Sequence, residues 1–256
     1  MDANLEAFKR LLIIQKELRE KCPWDRKQTI ETLRMLTIEE TYELVDAIDA
    51  KNYNYIKEEL GDILLHILFY ACIGEEQNQF TLAEMINEQC EKLIRRHPHI
   101  YGEVKVNDEH EVKQNWEKLK IKEGKKSVLG GVPNSLPAIT KAYRIQEKAA
   151  QVGFDWKEKE PVLDKIEEEL QELKEAQQKK SQVEIEEEMG DLLFSIVNYC
   201  RFIKIDPEAA LEKTNRKFKS RFQEMENIAG QNSKHLKDMT LEEMDILWNT
   251  VKKEKK

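Results

Sequence analysis

Residues Thr37 to Ala71 read TIEETYELVDAIDAKNYNYIKEELGDILLHILFYA, and residues Ile166 to Cys200 read IEEELQELKEAQQKKSQVEIEEEMGDLLFSIVNYC. The two stretches align without a gap at a constant offset of 129. Glu39, Glu40, Glu43, Glu59, Gly61, Asp62 and Tyr70 fall on Glu168, Glu169, Glu172, Glu188, Gly190, Asp191 and Tyr199. The chain is therefore an internal duplication. The repeated unit is helical, because apolar residues recur at three- and four-residue spacing, as in Ile56, Leu60, Ile63, Ile67 and in Leu192, Ile196, Tyr199, Ile203.

The symmetry extends beyond this block. Trp24 and Trp156 are 132 apart, as are Trp116 and Trp248, and Lys120 matches Lys252. With a four-residue shortening, Lys92 and Arg96 find counterparts in Lys217 and Arg221. The apolar spacing predicts helices near 5–20, 38–50, 54–73, 82–96 and 109–122, then near 137–151, 162–178, 183–204, 207–228 and 241–253. Four capping boxes are expected to start helices: Thr37 with Glu40, Thr81 with Glu84, Ser181 with Glu184, and Thr240 with Glu243. Three of the nine glycines and two of the six prolines fall between Gly124 and Pro137. The expected organisation is an N-terminal helical domain over 1–123, a linker over 124–137 and a C-terminal helical domain over 138–256.

Composition bounds the function. Nine Gly and six Pro in 256 residues are about half the usual share, too few turns for a sandwich or barrel. Hydrophobic residues at 40% can build a core, while charged residues at 36% leave no run of the roughly 20 apolar residues a membrane span needs. A net charge of -8 argues against duplex nucleic acid as a partner, since holding it means neutralising phosphates. The N-terminal MDANLEAFKRLL is amphipathic and has no signal-peptide apolar block, so a cytoplasmic location is expected. Cys22, Cys72, Cys90 and Cys200 form no CxxC pair, and Cys72 and Cys200 read as core thiols.

Glu40 with Glu43, and Glu59 with Asp62, each make a carboxylate pair on one helix face. If the two helices form an antiparallel hairpin, all four converge, and such a cluster recruits a cation or raises its own pKa values. Single acidic pairs are common in a chain with 50 acids, but four chosen positions would all be acidic again by chance with a probability of about 0.002. Oxygen ligands without His or Cys point to Mg²⁺, with Mn²⁺ as a substitute. A ferritin-like di-iron centre would need Glu three residues before a His, and none of the five histidines has one. His66 follows Asp62 by one turn, but its counterpart is Ser195, which argues against a ligand role.

The EExxE and ExxD pattern, here EETYE with EELGD and EELQE with EEMGD, resembles the all-α nucleoside triphosphate pyrophosphohydrolases. CPWDRKQT from Cys22, RRHPHIYGE from Arg95 and KAYRIQEKAAQVGFDW from Lys141 narrow the resemblance to the MazG family, over nearly the whole chain. It implies two tandem MazG-like helical bundles in a homodimer. It also implies Mg²⁺-dependent hydrolysis of nucleoside and deoxynucleoside triphosphates to monophosphate and pyrophosphate, in nucleotide-pool housekeeping.

By that resemblance Glu169, Glu172, Glu188 and Asp191 are metal ligands, as are Glu40, Glu43, Glu59 and Asp62 in the first half. Glu168 would orient or deprotonate water. Lys165, Lys217, Arg221, Trp248 and Lys252 would contact the nucleotide, with Trp248 offering a face to the base. Lys92, Arg96, Trp116, Lys120 and Trp24 are the first-half equivalents. Preference for the second half as the active one rests on analogy with family members. The alternatives are a non-catalytic acidic interaction protein, whose carboxylates need not converge, and a narrower dUTP or phosphoribosyl-ATP pyrophosphohydrolase.

Overall fold

A computed structural model describes residues 2–106, 108, 111, 112, 115, 116, 119, 127–179, 181–232 and 234–254. Among these the chain is helical and has no strand. It divides into two compact units, Met1–Asn107 and Asp108–Lys256. The 124–137 segment thus follows the division; Gly124, Lys125 and Lys126 in it lie outside the described residues, as does Lys120. The helix expected over 109–122 is described at Glu111, Val112, Asn115, Trp116 and Leu119, all helical.

The first unit contains α1 (Ala3–Lys21), α2 (Ile30–Asp49), α3 (Tyr53–Glu76), α4 (Leu82–Arg96) and the single turn α5 (Pro98–Tyr101). α2 starts eight residues before the expected position because Thr29 and Thr32 form a reciprocal capping box in front of Ile30. Thr37 is therefore no cap. It lies inside α2, where its hydroxyl donates to Leu33 O at 3.0 Å and lies 2.8 Å from the Tyr70 hydroxyl. The box of Thr81 and Glu84 does start α4.

Only Ala50, Lys51 and Asn52 separate α2 from α3. Lys51 turns the chain at φ 54, and the Asn52 side chain accepts from the Asn54 and Tyr55 N–H groups. So short a connection makes an antiparallel hairpin. Its core is Leu33, Phe69 and Ile73, with Leu36, Leu65 and Tyr70 against it. Arg19 clasps the CPWD loop to this hairpin: one guanidinium nitrogen donates to Asp25 O at 2.6 Å and Gln28 O at 2.9 Å, while the other two hold Glu76.

The second unit contains α6 (Ala138–Gln151), α7 (Glu160–Lys179), α8 (Gln182–Phe202), α9 (Pro207–Gln231) and α10 (Leu241–Glu254). α7 and α8 repeat the α2–α3 hairpin. Ser181 accepts from Glu184 N–H at the start of α8, and Thr240 with Glu243 completes a reciprocal box at α10. α6 packs against α8, and α10 against α9. The VGFDW loop is clasped from the other side: Arg201 of α8 donates to both carboxylate oxygens of Asp155. Cys72 and Cys200 are half-buried free thiols, and burial pushes both up.

Candidate metal and nucleotide site

In the first unit Glu40 and Glu43 stand one turn apart on α2, and Glu59 faces them from α3. One carboxylate oxygen of each lies within 4.8 Å of the others. In the second unit Glu169, Glu172 and Glu188 repeat this trio within the same limit. Octahedral ligands about 2.1 Å from a metal sit up to about 4.2 Å apart, so both trios fit a small divalent cation with little adjustment. Asp62 and Asp191, one turn along α3 and α8, add their charge to Glu40 and Glu188 of the trios.

The carboxyls carry the electrostatic mark of crowding. Burial, then Asp62 and Glu43, raise Glu40, and burial, then Glu43 and Glu40, raise Glu59. Burial, then Glu169 and Glu188, raise Glu172, and burial, then Glu169 and Asp191, raise Glu188. Like charges this close are relieved by a proton or a cation.

The two trios differ first in the residue one turn before Glu40 and Glu169. Lys165 Nζ lies 2.7 Å from Glu168 and 2.6 Å from the buried Glu169. Hydrogen bonds to Glu168 and then Glu169 hold the ammonium charged well above its ordinary range. The matching residue of the first unit is Leu36, packed against the core. Lys165 thus brings Glu168 to the edge of the second trio, with Glu168 exposed.

Lys165, Glu169 and Asp191 also line a cavity of about 460 Å³ in the second unit. Its other walls come from α6, the VGFDW loop and the next turns of α8, including Gln146, Phe154, Trp156, Phe194 and Asn198. At the aligned positions the first unit carries core residues: Leu33 for Val162, Leu65 for Phe194 and Phe69 for Asn198. Sequence reasoning missed Gln146, Phe194, Asn198 and Arg201. The signal was present in the mismatches between the repeats, where apolar Leu36, Phe69 and Cys72 oppose polar Lys165, Asn198 and Arg201.

The remaining expected residues form a separate cluster on α9 and α10. The Arg221 guanidinium lies 5.8 Å from the Trp248 ring centroid, and Phe218 lies 5.2 Å from it at a tilt. Lys217 and Lys252 are exposed one turn from Arg221 and Trp248. In the first unit Lys92 and Arg96 are half-buried on α4 and Trp24 is exposed. His66 is buried, and its Nδ1 is 3.3 Å from the Thr37 hydroxyl, a contact inside the hairpin.

The family model for the MazG nucleotide pyrophosphohydrolase domain matches twice, over residues 28–101 and 157–225. A Thermotoga maritima protein named nucleoside triphosphate pyrophosphohydrolase/pyrophosphatase MazG is 50% identical over 250 residues, covering 96% of this chain and 95% of its own. The Escherichia coli K12 nucleoside triphosphate pyrophosphohydrolase is 40% identical over 254 residues, covering 96% and 97%. A crystal structure of a MazG-related protein from Thermotoga maritima matches 44% of this chain and 98% of its own, at 30% identity and a TM-score of 0.40.

Proposed function

The chain belongs to the MazG nucleotide pyrophosphohydrolase family, and we propose that its second unit hydrolyses nucleoside and deoxynucleoside triphosphates to the monophosphate and pyrophosphate with Mg²⁺. The observation that carries this reading is the junction of a carboxylate trio, Lys165 and a cavity in the second unit. A solvated acidic face that merely binds a basic partner has no need for converged carboxylates, a shared lysine or a cavity.

Glu169, Glu172 and Glu188, with Asp191 one turn on, would hold Mg²⁺, or Mn²⁺ in its place; the metal would supply Lewis acidity toward the phosphate oxygens. Lys165 gives up part of its pairing with Glu169 to a phosphate oxygen, so its charge follows the substrate. Glu168, exposed and tethered by the same ammonium, accepts a proton from the attacking water. Lys217, Arg221 and Lys252 add positive charge on the α9–α10 side, and Trp248 adds an aromatic contact. Glu40, Glu43, Glu59 and Asp62 form a second candidate cation site, without the lysine.

We assign the chain to a homodimer. Tyr42, Val45, Ile48 and Leu60 leave an apolar stripe exposed on the α2–α3 hairpin, of the kind that marks a protein interface. The working site would be nucleotide-pool housekeeping in the cytoplasm; among the described residues no helix is long and apolar enough to cross a membrane.

The experiment is direct. Purified protein is incubated with each triphosphate and Mg²⁺, and the products are separated. Monophosphate with pyrophosphate is expected; diphosphate with orthophosphate, or no turnover, overturns the reading.

A further inference from the structure

We propose that Arg201 is a positioning residue of the second unit: by gripping Asp155 it keeps the VGFDW loop standing as one wall of the cavity beside Lys165, and letting go of Asp155 opens that wall. The inference rests on the pyrophosphohydrolase reading for its effect on substrate. It adds to that reading a movable part and the residue that sets its position.

The grip is two-pronged. One terminal guanidinium nitrogen of Arg201 donates to Asp155 Oδ2 at 2.9 Å and the other to Asp155 Oδ1 at 2.5 Å, the geometry in which an arginine–carboxylate pair is strongest. Its Nε donates to Asn198 Oδ1 at 3.0 Å, so the guanidinium is braced on its own helix and meets the loop as a fixed fork. Asp155 Oδ1 also accepts from the Trp156 N–H at 3.0 Å, which carries the grip into the loop main chain. The Arg201 side chain is 12% exposed, so solvent screens this pair less than an open surface pair.

Packing does little to hold the loop there. The chain leaves α6 through Gly153 at φ 91, a conformation that L side chains rarely adopt, and the Phe154 N–H returns to Ala149 O at 3.1 Å. α7 begins at Glu160. Between these points Phe154 is 83% exposed and Trp156 43%. Rings left this far in water gain little from burial, so burial does not decide where the loop stands. Both rings nonetheless line the cavity, together with Asp155 and Arg201.

The duplication supplies the contrast. The first unit fastens its CPWD loop through main-chain carbonyls, with Arg19 of α1 donating to Asp25 O and Gln28 O. There Cys72 takes the place of Arg201, and Pro23 that of Asp155. A carbonyl cannot turn away from its own chain, whereas a side-chain carboxylate can. The copy with the cavity is thus the copy whose loop is held side chain to side chain. Release then has two linked consequences. Apparent affinity falls in proportion to the fraction of molecules with the loop in place, and proteolysis within the loop rises with the fraction released.

The test uses the full chain with Arg201→Gln, Arg201→Lys and, because Asp155 lies on the loop and outside the helices, Asp155→Asn. In Arg201→Gln and Asp155→Asn, KM for ATP should rise about tenfold while kcat stays within about threefold, since neither residue belongs to the carboxylate trio. Retained kcat shows that the variants are folded. Chymotrypsin cleavage after Phe154 or Trp156, read by fragment mass without nucleotide, should speed up about tenfold or more in the same two variants. Arg201→Lys keeps the charge and loses the fork, so it should fall between the parent and Arg201→Gln in both readings. KM and cleavage within about twofold of the parent in Asp155→Asn, a fall in kcat at unchanged KM, or a lysine variant no better than the glutamine one overturns the assignment. If ATP is not hydrolysed, the proposed reaction fails, and the cleavage rates alone decide whether Arg201 holds the loop.

Discussion

The two units share a hairpin and a carboxylate trio, and they part at the three positions beside it. In the first unit Leu36, His66 and Phe69 are packed inward, and the α2–α3 hairpin carries a solid core under its trio. In the second, Lys165, Ser195 and Asn198 stand at the aligned places and line a cavity. The acids were kept in both copies while the ground beside them changed. In the proposed reading the carboxylates hold a cation in either copy, and the lysine and cavity beside the second trio leave room for a triphosphate.

The largest expected effect separates the copies by rate. Glu172→Ala should lower kcat by about 10³-fold, the scale of losing an interaction made in the transition state. Glu43→Ala should leave it within about twofold. Equal losses in the two variants, measured by product release under saturating triphosphate, would break the ranking of the second unit above the first.

Next in size is the core that replaces the cavity. Phe69 is 2% exposed, and Phe69→Ala should destabilise the first unit by about 3 kcal/mol or more in a urea titration. Activity below the transition should persist. A loss under 1 kcal/mol, set against the roughly 3 kcal/mol expected, would mean that the first unit is not solid there.

Lys165→Leu copies the first unit's residue into the second. A drop in kcat/KM of about thirtyfold is expected from losing one charge-assisted contact to phosphate. An unchanged kcat/KM would reduce the lysine to a surface ion pair.

A smaller effect concerns pH. Glu40, Glu59, Glu172 and Glu188 are raised in the folded protein. A raised carboxyl adds stability below its unfolded value of about 4.3, and that contribution is lost as pH rises through the folded value. The metal-free chain should therefore lose stability as pH climbs out of the carboxylate range. Added MgCl₂ should restore about 2–5 °C of Tm at neutral pH and nothing below about pH 4. Because only the second trio has its own lysine, Glu40→Gln should flatten this dependence more than Glu172→Gln.

The smallest effect tests where the copies agree. Gly61 and Gly190 lie inside helices, and a Cβ at either would meet nothing within 4 Å. Alanine at each should stabilise the chain by up to about 1 kcal/mol through helix propensity. A loss at either position would show that a second copy of the chain packs against that helix.

Much of this was legible in the residues. Caps at Thr81 and Thr240 announced their helices because the hydroxyl and the carboxylate three residues on act locally. The Thr37 box misled for the same reason: the pattern is local, but Ile30, Leu33 and Leu36 already carry the helix through it, and Thr29 with Thr32 caps it earlier. Spacing brought Glu40 with Glu43 and Glu169 with Glu172 to one face. It could not show that Glu59 and Glu188 come within reach of those pairs, since that depends on how the paired helices are rotated against each other.

The sequence by itself determined that the chain is a helical duplication with an acidic constellation in each copy, because periodicity and repetition are properties of one dimension. Only the tertiary structure decided that one copy closes over Phe69 and Leu36 while the other opens beside Asn198 and Lys165. A cavity is bounded by residues far apart in the chain, here from Gln146 on α6 to Asn198 on α8. Its existence depends on side-chain volume and helix packing in three dimensions.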